Sequence, residues 1–249
     1  MIVIKTKQEI EIMKEAGKIV SEALNLAGES VKAGMTTGEL NQIIEKSILD
    51  CGATPSFKNY NGFPAASCIS PNSVVVHGIP SDKVILKDGD IVSVDVGAFY
   101  KGYHADAART LPVGNISSEA QRLIDVTKEC FFKGAELALP GNRVGDIGFA
   151  VQSHAEANGY GVVRELVGHG VGKNLHESPD IPNFGRSGRG IRLVSGMVIA
   201  IEPMINEGTE AVDFNRLDGW TVTTRDGKLS AHYENTLAIT ENGPVFLTM

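Results

Sequence analysis

The chain has 249 residues, 42% hydrophobic and 21% charged, enough to bury a full core. Thirty acidic residues against 23 basic ones leave a net charge of −7, which argues against sequence-specific nucleic-acid binding, since that needs a basic stripe. The cysteines, Cys51, Cys68 and Cys130, are too few and too scattered for a disulfide framework or a thiolate metal site. No apolar run approaches the ~18–20 residues that cross a bilayer, and the N-terminus lacks the apolar stretch of a secretion signal. The expectation is a cytoplasmic protein that does not engage membranes.

Thr6 with Glu9 forms a capping-box signature, and apolar residues recur at helical spacing over residues 10–26. Thr36 with Glu39 repeats the signature ahead of a second helix over residues 40–51. Residues 52–67 read as a loop rich in aromatic and turn residues, with short strands at 67–70 and 74–77. Residues 91–98 alternate, with Val92, Val94 and Val96 on one face and Ser93, Asp95 and Gly97 on the other. A bend at Tyr100-Lys101-Gly102 returns residues 103–111 antiparallel. Pairing Ala98 with Tyr103 puts Asp95 opposite Asp106, Cβ atoms roughly 5 Å apart. A lone aspartate in a strand is ordinarily solvated. Two facing ones need a cation between them, and two cations ~3.5–4 Å apart would fit equally well.

From Ser117 the pattern restarts, with helices predicted at 118–139 and 144–158 and a strand at 161–167. Gly168, Gly170 and Gly172 then clear side chains from around His169. A basic, Gly-rich loop, 184–190, precedes a strand at 197–205, and Asp218-Gly219-Trp220 opens a hairpin turning at 225–228. The last long strand is 233–240. Gly89 stands six residues before Asp95, and Gly196 six before Glu202. Helix, helix, strands and acidic hairpin thus occur twice, about 1–112 and 113–249, which predicts an internal duplication folded as one catalytic domain. The fold class is α+β, with antiparallel sheets covered by helices.

Asp95, Asp106, His169, Glu202 and Glu234 supply four carboxylates and one imidazole, a hard donor set suited to a pair of first-row divalent ions rather than a closed structural zinc site. Their order, the spacing of the aspartates, Gly-His-Gly-x-Gly, the Glu202-Pro203 pair and Tyr-Glu-Asn-Thr resemble methionine aminopeptidase of type I over nearly the whole chain. The resemblance implies the pita-bread (creatinase/aminopeptidase) fold and removal of an N-terminal methionine from peptides and nascent chains when the second residue is small. It implies that Asp95 chelates one ion, Asp106 and Glu234 bridge both, and His169 and Glu202 complete the coordination of the second ion, with Fe²⁺, Mn²⁺, Co²⁺ or Zn²⁺ as the metal. Glu202 would also move the proton.

By the same resemblance His77 would contact the scissile amide and His176 the substrate carbonyl. Phe57, Tyr60, Phe63, Cys68, Leu175 and Trp220 would line the methionine pocket. Asn72, Val74 and Ser230 match a monovalent-cation site of some members. A monomer and ribosome docking also follow from the family. Asn235 departs from the pattern, standing where relatives often carry histidine, which bears on how Glu234 is held. Phe57 and Phe63 replace smaller or more polar residues of some members, which bears on pocket size. Three other readings compete: a proline-directed peptidase of the same fold, a metal-free binding module, and the type II branch. The last carries a helical insertion for which residues 175–202 leave no room.

Overall fold

The computed structural model describes residues 2–249. Helix α1 (Lys7–Ser30) opens on the predicted capping box, Thr6 N donating to Glu9 Oε2 at 2.7 Å and Glu9 N to Thr6 Oγ1 at 3.3 Å. Its buried face, Met13, Ala16, Val20, Ala23, Leu24 and Ala27, follows the three- and four-residue spacing of one helical side. Helix α2 (Thr37–Asp50) begins on the second box and buries Leu40, Ile44 and Ile48, one per turn. Both helices cover the Val92, Val94 and Val96 side of the sheet, α1 over the central hairpin and α2 over the strands beside it, while the other face, with Ser93 and Gly97, is buried too.

Strands β1 (Thr54–Pro55), β2 (Ser67–Pro71) and β3 (Val74–Val76) lead to β4 (Ile91–Tyr100) and β5 (Tyr103–Pro112). Strand β5 runs the length of one edge of β4, while β2 and then β1 occupy the other. After α3 (Ser118–Ala135) and α4 (Val144–Ala157) come β6 (Gly161–Val162), β7 (Gly168–Gly170), β8 (Glu177–Ile181), β9 (Val198–Ile201) and β10 (Met204–Asn206). The chain closes with β11 (Val212–Phe214), β12 (Val222–Thr224), β13 (Ser230–His232), β14 (Asn235–Thr240) and β15 (Gly243–Phe246). A five-stranded sheet runs β15-β14-β9-β7-β8, with Ile199 and Leu237 packed against Phe131 of α3 and Ile147 of α4. Two three-stranded sheets, β13-β10-β6 and β11-β12-β3, complete the fold, and the second joins strands from both halves. Among the described residues no helix is long and apolar enough to cross a membrane.

The two halves share matched turns. Gly89 and Gly196 both take positive φ, 93° and 88°, a region glycine enters without the Cβ penalty. Asp90 N donates to Lys87 O at 3.1 Å, and Met197 N to Val194 O at 3.2 Å. Each glycine N also reaches the strand beyond, Val113 O at 2.9 Å and Ile239 O at 2.8 Å. The two halves also meet beside the carboxylates, where Ala108 and Glu234 exchange backbone hydrogen bonds of 3.4 and 3.0 Å.

Several sequence expectations need correction. The hairpin register places Gly97, not Asp95, opposite Asp106, and Asp95 faces Ala108. The cause is a two-residue turn at Lys101-Gly102, both at positive φ (48° and 88°), whose twist matches the paired strands and brings Tyr100 opposite Tyr103. A shift of two keeps both carboxylates on the same face. Helix α3 ends at Ala135 rather than 139, its last turn tightened by i→i+3 bonds from Leu137 to Gly134 and Ala138 to Ala135, ahead of Pro140.

Of the strand expected over 161–167 only residues 161–162 form one, β6, and the next strand, β7, begins after that stretch and belongs to a different sheet. That expected over 197–205 breaks at Glu202-Pro203, because proline has no N–H for the ladder. The strand expected from 233 starts at Asn235. Strands β12 and β13 are not a hairpin: β12 pairs with β11 and β3, and β13 with β10. Strands β1, β8, β11 and β15, of two to five residues, carried too little alternation to be read.

Candidate metal centre and adjoining pocket

Each ligand candidate is delivered by a different local device. Asp95 lies within β4 and Asp106 within β5, on the hairpin face away from the helices. Glu202 and Glu234 stand at places where the chain leaves one sheet for another, between β9 and β10 and between β13 and β14. His169 is the middle residue of β7, where a Cβ on Gly170 would come within 2.6 Å of Ser178 O. Only glycine lets β8 approach that closely.

Asp106, His169 and Glu234 each bring one donor atom to within 4.8 Å of the others, and all three are buried. His169 Nε2 lies 3.4 Å from Asp106 Oδ2 and 3.6 Å from Glu202 Oε1. Its Nδ1 is 2.9 Å from Gly170 O, which keeps a proton on Nδ1 and aims Nε2 at the carboxylates. Asp106 Oδ1 accepts from Thr236 Oγ1 at 2.8 Å. Asp95 Oδ1 is buried with no partner. Asp95 and Glu202 keep a little exposure, but only to the cavity they line.

Burial, reinforced by Asp106, pushes the carboxyls of Asp95 and Glu234 well up. Burial likewise lifts Glu202 to about 8, and Asp106 adds to it despite His169. For His169 burial opposes the charged ring, yet Asp106 and Glu202 outweigh it and raise it to about 9. Asp106 stays below its usual range because His169 and Thr236 overcome its burial. Four crowded carboxylates, one with an orphaned oxygen, are a poor arrangement for a dry site and a good one for divalent cations. The residues present fit such ions.

Beside the carboxylates lies a cavity of about 150 Å³. All five ligand candidates line it, and so do His77, His176, Phe57, Tyr60, Phe63, Cys68, Leu175 and Trp220, together with Asn61, which the sequence reading did not single out. The apolar members form one cluster of their own. Asn41 of α2 pins the end of the aromatic loop, its Oδ1 accepting from Ala66 N, Ser67 N and Ser67 Oγ at 3.0–3.1 Å. Trp220 stands edge-on to Phe63 at 5.1 Å and to His77 at 6.1 Å.

His77 itself takes φ 58°, strained for a residue with a side chain. Tyr60 Oη lies 2.8 Å from His176 Nδ1, and His176 stacks edge-on to His169 at 4.1 Å. Burial and then the neighbouring His169 push His176 down to about 4, so it is neutral at pH 7. His77, His169, His176 and Glu202 also wall a second cavity of about 250 Å³, completed by Val76, Leu166, Val167, Asp180 and Met204.

Asn235 does not join the centre. Its Oδ1 accepts from Arg109 at 2.7 Å and from Thr248 Oγ1 at 3.1 Å, and Arg109 also donates to Glu234 O at 2.5 Å. Ser230 N donates to Asn72 O at 2.9 Å, which brings two of the three residues of the expected monovalent-cation site together beside Val74. One buried side chain escaped the sequence reading. His232 puts Nε2 3.8 Å from Glu202 Oε2 and 3.9 Å from Glu234 Oε2. The signal was available, since two residues before Glu234 is the same face of an extended chain.

The profile of metallopeptidase family M24 matches residues 11–241. The chain is 57% identical to a methionine aminopeptidase of Clostridium perfringens, over all of this chain and 99% of that protein. It is 51% identical to methionine aminopeptidase 1 of Bacillus subtilis, again over all of this chain and 99% of the relative. The crystal structure of methionine aminopeptidase from Rickettsia prowazekii superposes with a TM-score of 0.98 at 44% identity, each chain fully covered. Prolidase from Pyrococcus furiosus gives 0.81 at 29% identity, covering 99% of this chain but 65% of that one.

Proposed function

The chain belongs to metallopeptidase family M24, and we propose that it removes N-terminal methionine from peptides and nascent proteins whose second residue is small. It is a metal-dependent aminopeptidase with the pita-bread fold. The observation that carries the site assignment is the convergence of five ligand-type side chains, one with an orphaned oxygen, on the wall of an apolar and aromatic cavity.

Asp95, Asp106, His169, Glu202 and Glu234 are the residues that would hold the two divalent ions. When bound, such ions polarise the scissile carbonyl and acidify water. The donor set suits Fe²⁺, Mn²⁺, Co²⁺ or Zn²⁺. Glu202, on the wall common to both cavities, takes the proton of the attacking water and returns it to the leaving amine. Tyr60 O–H donates to His176 Nδ1, so the ring proton sits on Nε2 and points its donor at the substrate carbonyl oxygen, where negative charge develops. His77 holds the scissile amide. The methionine side chain fills the cavity between Phe57, Phe63 and Trp220. The second residue lies towards Val167 and Met204, in the second cavity. A monovalent cation beside Asn72, Val74 and Ser230, and docking to the ribosome, belong to the same reading.

The test is hydrolysis of a Met-X-Ser series after chelator treatment and after each metal is added back. Cleavage of Met-Ala-Ser but not Met-Leu-Ser, lost with chelator and restored by divalent ions, is the expected result. Preference for Met-Pro or X-Pro peptides would favour the prolidase-like reading. Chelator-insensitive turnover would overturn the metal assignment.

A further inference from the structure

His232 is among the least exposed polar residues of the protein, at 2%, and neither of its ring nitrogens has a hydrogen-bond partner. A neutral imidazole carries one N–H and one lone pair, so either tautomer leaves a donor and an acceptor unpaired in a dry interior. An aliphatic side chain would fill the same space without that loss. The ring is held from behind, since His232 N donates to Thr110 Oγ1 at 2.8 Å and that hydroxyl donates to His232 O at 3.0 Å. Its backbone is therefore fixed on β13, and its Nε2 stands nearly midway between Glu202 and Glu234, at 3.8 and 3.9 Å. Both gaps are of a width that one bridging water or a small side-chain rotation closes.

We propose that His232 is a positioning residue of the metal centre, its Nε2–H donating to the outer carboxylate oxygens of Glu202 and Glu234 and so fixing which oxygen of each faces the ions. The backbones of the two glutamates are held, Glu202 O by Asn183 Nδ2 at 3.0 Å and Glu234 by Ala108, but among the described residues neither carboxylate accepts a side-chain hydrogen bond, so a shared donor supplies the missing constraint. Thr236 plays the corresponding part for Asp106 from the neighbouring strand. This role rests on Glu202 and Glu234 being ligands, as assigned above.

The experiment titrates Mn²⁺ into chelator-stripped full-length protein by calorimetry and records the absorption spectrum of the Co²⁺-loaded form, for the parent and for His232→Gln, His232→Met and His232→Asn. Gln and Met are alike in length and flexibility, but only Gln carries a donor, and the Asn amide is too short to reach. The Met and Asn variants should bind about 10–100-fold more weakly, as expected when a ligand's outer partner is removed, and should shift the Co²⁺ spectrum. His232→Gln should stay close to the parent in both readouts. Parent-like affinity and spectrum in the variants lacking the donor, or a loss in Gln as large as theirs, would overturn the proposal. A parent that takes up no ions would instead overturn the ligand assignment on which it stands.

Discussion

The two halves start from the same plan and use it differently. In the first, β4 and β5 run unbroken for ten residues each, and both acids sit inside the ladder, Asp95 between two paired strands and Asp106 on the outer one. In the second, the matching strands are four and three residues long, interrupted by Pro203 where Glu202 stands, and Glu234 falls in a gap between sheets. A side chain inside a continuous ladder is fixed by its backbone, whereas one at a break has freedom that must be restrained from elsewhere. The comparison teaches that the first hairpin provides a stiff floor of charge, while the second half reaches over it with the groups to which the proposed function gives the proton transfers.

The largest expected effect tests that division directly. Glu202→Gln should lower kcat by about 10²–10⁴-fold, the range of a general acid–base group, while the protein stays folded. Near-normal hydrolysis of Met-Ala-Ser by that variant would erase the asymmetry. Next, His176→Ala should lower kcat by about 10²–10³-fold, as loss of an oxyanion donor does. KM should change little, because that contact matters mostly in the transition state. A change confined to KM would make His176 a binding residue only.

A third prediction concerns the charge floor itself. In the metal-free protein Glu202 is raised from 4.5 to about 8 and His169 from 6.5 to about 9. Between pH 6.5 and 8 the folded chain therefore holds protons that the unfolded chain has released, and stability falls as pH rises. Below pH 6.5, His176 and His232, pushed down to about 4 and 3 chiefly by burial, work in the opposite direction. Thermal melts of stripped protein should decline from pH 6.5 to 8, and Mn²⁺-loaded protein should not. A flat profile for the stripped form would mean that the carboxylates are less crowded than they stand here.

The smallest effect is expected from Gly97→Ala in the first half. The new Cβ would meet Phe57 Cε1 and Ser56 Cβ at 2.8 Å, costing about 1–3 kcal/mol of stability through overpacking. It would raise KM for methionine more than it lowers kcat. An unchanged KM would detach Phe57 from the pocket.

Much of this was legible in the chain. Thr6 with Glu9 and Thr36 with Glu39 marked the helix starts because a capping box is a local device, complete within four residues. The alternation of Val92, Val94 and Val96 gave the face that the helices cover. What escaped depended on distant partners. The hairpin register hinged on Lys101 accepting positive φ, which lysine seldom advertises. The breaks in the strands predicted at 161–167 and 233–240 were hidden because extended chain keeps its two-residue period while passing between sheets. At Glu202 the following proline was a visible clue. His232 was passed over because a histidine among small residues carries no chemistry until the two glutamates are seen on either side of it.

The paired hydrogen bonds between Ala108 and Glu234 tie alignment of the halves to competence of the site. The same residue whose amide and carbonyl close that suture carries a carboxylate meant for the ions. A chain whose halves docked one step out of register would turn that side chain to the opposite side and could not retain its cations. Misassembled copies would thus be inert rather than indiscriminate, a safeguard of some value for an enzyme that trims polypeptides.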